Sequence, residues 1–473
     1  MNFVNTQKLT NKAYISGFAG LITINLMGYF YYLFDVTKKG WALFGFKFAK
    51  PGASSILFVL LVTGMVMILI ELFIRYRVEG KENFININSS LKEKKYVVYF
   101  LELIYYIATS IIFIWLAKQF YQYAAHYTYG HKGGKYGGWF IVLNHIWQYT
   151  LVGMPVYIIL TRTFQQNKAY DTREPVYLFW KTIFFLLLKV GLKKVMPNFI
   201  SQYFFSKKVE MTREDGQILL GIFVKMFYIP LMTIFFIDQF SSMVKNYSYL
   251  ADNFDPSKAK YNFYSGILDF YNICFTYVFV IDVGLAWCGY VFSSRWLKNG
   301  LKSVEPTFQG WAVALLCYPP FNHFLFIYFM MPSDKDFLTL AKDGSTPVQV
   351  FVLTLAILSL ISYLIYMSAT VLFGLRFSNL TNRGIIRTGL YKYIRHPAYA
   401  GKNIAWWLVF LPYIIYQALS KGSFVPLLQI IALVMMTTLY FYRAITEERH
   451  LLQDPEYQEY MGKVKYRFIP GIF

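Results

Sequence analysis

Charged residues are scarce in this chain of 473 residues, where they make up 15% of the total. About a quarter of the residues in a soluble globular domain are charged, so the composition excludes an ordinary soluble protein. Hydrophobic residues make up 56% of the chain. Apolar runs close to the spanning length of about 20 residues recur along nearly the whole sequence. The sequence therefore predicts an all-α, polytopic integral membrane protein.

Cysteine is also scarce, and none of the three cysteines lies in a Cys-x-x-Cys spacing. Nothing in this pattern indicates a disulfide framework or a thiolate metal site. His145 has no second ligand three or four residues away, so we predict no metal. The net charge of +21 comes from Lys and Arg scattered through short loops. Blocks of like charge and nucleic-acid-binding motifs are absent. We therefore predict that the positive charge serves membrane topology and contacts with anionic lipid headgroups, and that the protein does not bind nucleic acid.

Apolar runs predict membrane segments near 14–34, 54–75, 96–117, 139–161, 175–192, 217–240, 264–292, 308–331 and 347–373, followed by a helical hairpin at 403–441. This gives about 10–11 crossings. Pro319 and Pro320 fall inside the segment 308–331, where they are expected to kink or break the helix. We divide the chain into an N-terminal transmembrane bundle of unknown role, residues 1–346, and a C-terminal membrane domain, residues 347–473.

The two ends of the hairpin carry charged clusters that should meet at one membrane face. The segment before the first arm is basic and includes Arg395 and His396. Pro397 suits the first turn of a helix. The free N–H groups of such a turn, with Arg395 and His396 beside them, favour an anionic group. Gly401 leaves the helix surface open for something to lie close against it.

The end of the second arm is acidic. Glu447 and Glu448 offer acceptors for hydroxyl groups or for a cationic ligand. A cationic patch that faces an anionic patch suits a zwitterionic cofactor. In the alternative interpretation, the basic residues snorkel at the helix ends and the two glutamates begin an amphipathic exit helix.

Several polar or ionisable residues fall within apolar runs: Glu102, Asn144, His145, Lys225, Asp269, Asp282 and His323. Such groups are costly at bilayer depth and usually face a bundle interior or a wet cavity. They could line a chamber for a substrate or cofactor, or they could form helix-end groups and buried pairs.

The C-terminal block resembles the isoprenylcysteine carboxyl methyltransferase and phospholipid methyltransferase superfamily of integral membrane enzymes, which use S-adenosylmethionine. The shared pattern is Gly-x-Tyr-x-x-x-Arg-His-Pro-x-Tyr-x-Gly, an apolar hairpin, and Arg-x-x-x-Glu-Glu-x-x-Leu. It covers roughly residues 374–473, and the matching positions are Gly389, Tyr391, Arg395, His396, Pro397, Tyr399, Gly401, Arg443, Glu447, Glu448 and Leu451.

The resemblance implies a membrane-embedded methyltransferase that acts on a lipid or lipidated acceptor. By that resemblance, the cofactor-binding residues are Arg395, His396, Pro397, Tyr399, Gly401, Glu447 and Glu448. The resemblance also implies two catalytic residues, Arg443 and Glu447. Arg443 would orient the acceptor's carboxylate or phosphate.

The tail from Tyr457 to Phe473 instead resembles the end of the NADPH-dependent sterol reductases, which share this C-terminal architecture. Their pattern has Asn-Tyr-x-Gly-Asp after Arg-His, where this chain has Ala398 to Lys402, and Arg-Asp where Thr446 and Glu447 stand. A basic group for the NADPH phosphate is therefore missing. We predict a methyltransferase, with a sterol or isoprenoid reductase as the alternative. A transporter or structural membrane protein, which an inverted repeat would indicate, is a third possibility.

The charge of the loops predicts the orientation. Loops on the face of the Arg-His-Pro segment hold roughly 26 Lys and Arg, and those on the opposite face roughly 16. The positive-inside rule therefore places the predicted site on the cytoplasmic side, in either a bacterial inner membrane or the endoplasmic reticulum.

Overall fold

The structure is a computed structural model that describes residues 3–37, 42–43, 46–47, 53–80, 93, 95–123, 137–164, 212–253, 263–342 and 344–472. Helices dominate these residues and strands are almost absent, which confirms the all-α prediction. The membrane segment predicted near 175–192 lies outside the described residues.

The described part of the chain forms the α-helices α1 (Phe3–Thr10), α2 (Ala13–Thr37), α3 (Ala53–Glu79), α4 (Tyr96–Tyr123), α5 (Gly137–Thr163), α6 (Arg213–Asn253), α7 (Phe263–Val291), α8 (Phe308–Leu315), α9 (His323–Phe329), α10 (Thr346–Phe373), α11 (Pro397–Lys421), α12 (Leu428–Leu451) and α13 (Pro455–Lys463). Short 3₁₀ turns occur at Arg295–Leu297, Asp336–Ala341, Gly374–Arg376, Gly389–Lys392 and Val425–Leu427. The strands are β1 (Ala42–Leu43), β2 (Phe46–Lys47), β3 (Ser303–Val304) and β4 (Thr381–Asn382), and β1 pairs antiparallel with β2.

Among the described residues, eight stretches of helix are long and apolar enough to cross a membrane: Gln7–Leu33, Ser55–Glu79, Tyr96–Tyr123, Asp215–Leu250, Phe263–Val291, Thr346–Arg376, Pro397–Lys421 and Val425–Leu451. A helix satisfies every backbone N–H and C=O within one segment, which lipid requires because it offers no hydrogen-bond partners. The chain is therefore a multi-pass integral membrane protein.

The segment predicted at 308–331 is not one continuous helix, and the predicted break in it is confirmed. The structure has two short helices here, α8 of eight residues and α9 of seven, on either side of Pro319 and Pro320. Proline has no N–H to donate and its ring clashes with the preceding turn, so the helix cannot continue. Neither helix alone is long enough to span a bilayer.

The chain divides into two compact units. One comprises Met1–Ile74, Phe235–Gly300 and Glu305–Phe473, and the other comprises Arg75–Ile234 and Leu301–Val304. The first unit contains the whole C-terminal block that carries the predicted site. The separate proposal of a functional boundary at residue 346 stays a prediction.

Gly401 allows helices α10 and α11 to pack closely. A Cβ atom added at Gly401 would lie 2.5 Å from the carbonyl oxygen of Ser362 and 3.1 Å from the backbone nitrogen of Tyr366. Both of these atoms belong to the backbone of α10, which cannot move aside as a flexible side chain could. A residue with a side chain would therefore push α11 away from α10.

A buried ion pair fixes the segment that follows α10. Arg376 donates through Nη1 to both carboxylate oxygens of Glu71 on α3, at 3.1 and 3.0 Å, and Ser16 on α2 donates to the same carboxylate at 2.9 Å. Arg383 is also buried, and it donates through Nε to the carbonyl oxygen of Asn299 at 2.8 Å. Burial, with Arg376 nearby, lowers the pKa of Arg383 to about 10. Residues 376–383 are thereby held in place beside the hairpin.

Candidate functional site

The hairpin brings the basic and acidic segments to the same end of its two arms. Helix α11 begins at Pro397, as predicted, and it ends at Lys421, where it is capped by Gly422, whose φ of +56° is the left-handed conformation that favours glycine. Helix α12 returns the chain and ends at Leu451. His396 and Glu448 lie in direct contact, with 3.0 Å between Nε2 and Oε1.

A buried carboxylate stands at the centre of this contact. We call Arg395, His396, Glu448 and Arg467 the Glu448 cluster. Arg395 donates through Nε to Oε1 of Glu448 at 2.8 Å, while Arg467 donates through Nε to Oε1 at 3.0 Å and through Nη2 to Oε2 at 2.8 Å. The Glu448 side chain is 5% exposed. The hydrogen bonds to this carboxylate raise the pKa of the Arg467 guanidinium.

The Glu448 cluster also fastens the C-terminal segment to the start of α11. The backbone N–H groups of Arg395 and His396 donate to the carbonyl oxygens of Tyr466 and Arg467 at 3.0 and 2.9 Å. The Arg395 side chain donates to two further carbonyls, those of Val464 at 2.9 Å and Lys465 at 2.8 Å. Sequence reasoning did not assign Arg467 a role, because no local pattern pairs it with Glu448.

A cavity lies beside the cluster. It is small and partly open to solvent. It is lined by Glu305, Gly310, Ala314, Asn379, Leu380, Thr381, Tyr399, Arg443, Thr446, Glu447, His450 and Leu451. Tyr399, Arg443 and Glu447 of the predicted site therefore line this cavity.

The cavity lining is preorganised by hydrogen bonds. The Tyr399 hydroxyl donates to Oε2 of Glu447 at 2.5 Å. Arg443 donates through Nη2 to Oδ1 of Asn379 at 2.5 Å, and its guanidinium carbon lies 5.0 Å from the centre of the Tyr399 ring. His396 stacks on Tyr399 with 5.2 Å between ring centres, and its Nδ1 lies 3.9 Å from Oε2 of Glu447. The aromatic pair thus connects the cavity to the Glu448 cluster.

Two buried oxygen atoms on this lining have no hydrogen-bond partner. They are Oε2 of Glu305 and Oγ1 of Thr381. Leaving such an atom unpaired is costly, and unpaired buried atoms in native proteins often mark a ligand or water position. Neither residue was predicted. Thr381 lies between polar residues in a short, mostly polar stretch, Asn379 to Asn382, whereas no sequence pattern marks Glu305.

A second polar layer lies deeper in the helices. Asp282 on α7 accepts a hydrogen bond from the Tyr366 hydroxyl at 2.6 Å and another from Thr370, both on α10. The Lys402 ammonium lies 5.3 Å from the ring centre of Tyr366 and 5.2 Å from that of Trp406. Lys402 also interacts electrostatically with Asp282. Among the predicted intramembrane polar residues, Asp282 is thus a partnered buried acid close to the hairpin.

The remaining predicted residues take up other positions. Arg395, His396 and Glu448 form their buried cluster and do not line the cavity. Pro397 begins α11, and Gly401 faces the backbone of α10. In the part of the chain that the structure describes, no group of three His, Cys, Asp or Glu side chains could hold a metal ion.

One protein family matches residues 337–464, and its description is "Protein of unknown function (DUF1295)". The match covers the hairpin and the segments on either side of it. No curated protein matches the chain. No solved structure matches it either.

Proposed function

We propose that this protein is an integral membrane methyltransferase that transfers a methyl group from S-adenosylmethionine to a lipid or lipidated acceptor. The observation that carries the proposal is the cavity at the end of the hairpin. Its lining combines the carboxylates of Glu305 and Glu447 with the guanidinium of Arg443. The family that matches residues 337–464 is tied to membrane proteins that resemble steroid 5α-reductases and isoprenylcysteine methyltransferases, so it is compatible with this class and with the reductase alternative.

The charge of the cavity favours S-adenosylmethionine over NADPH. S-adenosylmethionine carries a sulfonium and an ammonium, which two carboxylates stabilise by charge. NADPH carries phosphates, which need free Arg or Lys side chains. The lining holds one arginine, Arg443, which donates to Asn379, beside two carboxylates. The nearby Arg395 and Arg467 are both engaged by Glu448. The unpartnered oxygens of Glu305 and Thr381 further fit a ligand that offers hydrogen-bond donors.

The residues of the lining have separable roles. When bound, the cofactor supplies an electrophilic methyl group. Tyr399 holds the Glu447 carboxylate in one orientation through its 2.5 Å hydrogen bond. Arg443, fixed by Asn379, is placed to bind a carboxylate or phosphate of the acceptor. Positioning of this kind and exclusion of water account for most of what methyl transfer requires of an enzyme.

The acceptor is proposed to reach the site from the bilayer. Apolar side chains are exposed along both arms of the hairpin, among them Ile404, Ile415, Leu419, Ile431 and Val434. An acyl or isoprenoid chain could lie against such a surface while its head enters the cavity. Lys402, about one helical turn from Tyr399, lies among aromatic rings and offers a second cation for an anionic head group.

The hairpin itself supports a cytoplasmic site. Its turn carries Lys421, whereas the end with the cavity carries many basic residues: Arg387, Lys392, Arg395, Arg449, Lys463, Lys465 and Arg467. Basic residues near the ends of membrane helices are retained on the cytoplasmic side. This argument does not depend on the number of preceding crossings.

Equilibrium titration of the purified protein in detergent tests the proposal. We expect S-adenosylhomocysteine to bind with micromolar affinity and NADPH not to bind at the same concentrations. Binding of NADPH without S-adenosylhomocysteine would establish the reductase alternative and overturn the proposal. Adenosine serves as the control for non-specific binding of a purine nucleoside.

A further inference from the structure

Glu305 lies outside the sequence motif and outside the family match, yet it lines the cavity. We propose that Glu305 is a cofactor-binding residue whose free carboxylate oxygen binds the α-ammonium group of S-adenosylmethionine. This inference rests on the proposed function and assigns one residue to one end of the cofactor. The family match begins at residue 337, and the hairpin motif begins later still.

The Glu305 carboxylate is buried and only half satisfied. The residue is 2% exposed. Its Oε1 accepts hydrogen bonds from the backbone N–H of Thr307 at 3.0 Å and from the Thr307 hydroxyl at 2.5 Å. Its Oε2 has no partner. A buried charge is stable only when it is paired, so the free oxygen calls for a cationic or donating group from outside the chain.

The protein holds this carboxylate rigidly. The Glu305 N–H donates to the carbonyl oxygen of Leu380 at 2.8 Å, and its own carbonyl oxygen accepts from Nε1 of Trp311 at 2.8 Å. Gly310 leaves room for the side chain, because a Cβ atom there would lie 2.3 Å from Cγ of Glu305. A carboxylate fixed in this way on a cavity wall is preorganised for a ligand.

The nearest basic side chain compensates the charge of the Glu305 carboxylate only weakly. Arg449 approaches Oε1, not Oε2, at 3.4 Å, and its side chain is 45% exposed. Thr381 supplies a second unpartnered oxygen, Oγ1, in the lining of the same cavity. An ammonium has three N–H donors, so it can donate to Oε2 of Glu305 and keep donors for other acceptors of the lining. The zwitterionic end of the cofactor carries such an ammonium.

Glu305→Gln tests the inference with little disturbance of the fold. Glutamine keeps the volume of the side chain and leaves an oxygen for Thr307, while an NH₂ group replaces the free oxygen. The matched control is Glu459→Gln, because Glu459 is exposed and pairs with Arg387 and Lys463 at the surface. Thermal unfolding in detergent establishes that each variant is folded.

The probes are S-adenosylhomocysteine and its analogue without the α-amino group, titrated into each protein. We expect the wild-type protein and Glu459→Gln to bind the amine-bearing probe roughly 10- to 100-fold more tightly, the range for a hydrogen bond to a charged group. Glu305→Gln should lose that preference by weakening the affinity for S-adenosylhomocysteine alone.

Three results contradict the inference. A wild-type protein that binds both probes equally overturns it without reference to any variant. A folded Glu305→Gln that retains the preference overturns it as well, although the proposed function survives in both cases. A wild-type protein that binds neither probe overturns the proposed function and the inference together.

Discussion

Replacement of Glu448 by glutamine tests how the Glu448 cluster holds the C-terminal segment. The carboxylate receives four hydrogen bonds, from Arg395, His396 and twice from Arg467. Glutamine has nearly the same volume but no charge, and its NH₂ group faces donors. Three basic side chains are then left around a neutral amide.

The expected loss of stability follows from the burial of the cluster. Removing one partner of a buried ion pair costs about 3–5 kcal/mol, because the other charge stays buried without compensation. The Arg467 side chain is 23% exposed and gains solvent when its partner is lost. We therefore expect the lower end of that range, about 3 kcal/mol of unfolding free energy.

Denaturant titration in detergent micelles measures the global effect, and hydrogen exchange measures the local one. The amides of Arg395 and His396 donate to the C-terminal segment, so their exchange should accelerate in Glu448→Gln. Glu459→Gln, which removes an exposed carboxylate, is the control and should leave both measurements unchanged. An unchanged unfolding midpoint together with unchanged exchange at Arg395 and His396 would refute the assignment of this role to the cluster.

Three further substitutions have defined outcomes. Gly401→Ala forces a Cβ against the backbone of α10 and should cost roughly 1–3 kcal/mol, measured by unfolding, whereas Gly462→Ala, which meets nothing within 4 Å, should not. Glu71→Gln leaves the buried Arg376 without its charged partner and should lower the unfolding free energy by about 3 kcal/mol. An unchanged unfolding free energy would contradict the role of that pair. Tyr399→Phe removes the hydrogen bond that orients the Glu447 carboxylate and should weaken S-adenosylhomocysteine binding by roughly 10-fold. Tyr393 is exposed, so the control Tyr393→Phe should bind S-adenosylhomocysteine as the wild-type protein does. If Tyr399→Phe binds it with the same affinity as this control, Tyr399 does not belong to the site.

The parts of the fold that sequence predicted are those with local signals. Uninterrupted apolar runs predicted both arms of the hairpin. The fixed φ of Pro397 marked the start of α11. At 308–331 the two prolines predicted the break that separates α8 from α9.

The parts that sequence could not predict depend on contacts between distant segments. Glu448 is paired with Arg467 through a C-terminal segment that folds back onto the start of α11, and no periodic pattern records that path. Glu305 reaches the cavity from the loop before α8. Gly401 was expected to have something lying close against it, but only the structure identifies that neighbour as the backbone of α10.

The most direct measurement is transfer of a labelled methyl group. Membranes that contain the protein are incubated with S-adenosylmethionine labelled on its methyl group, and the extracted lipids are analysed. We predict a labelled lipid that depends on the protein and is lost in the Glu447→Gln variant. Absence of any labelled lipid, together with a lipid product reduced at the expense of NADPH, would contradict the account.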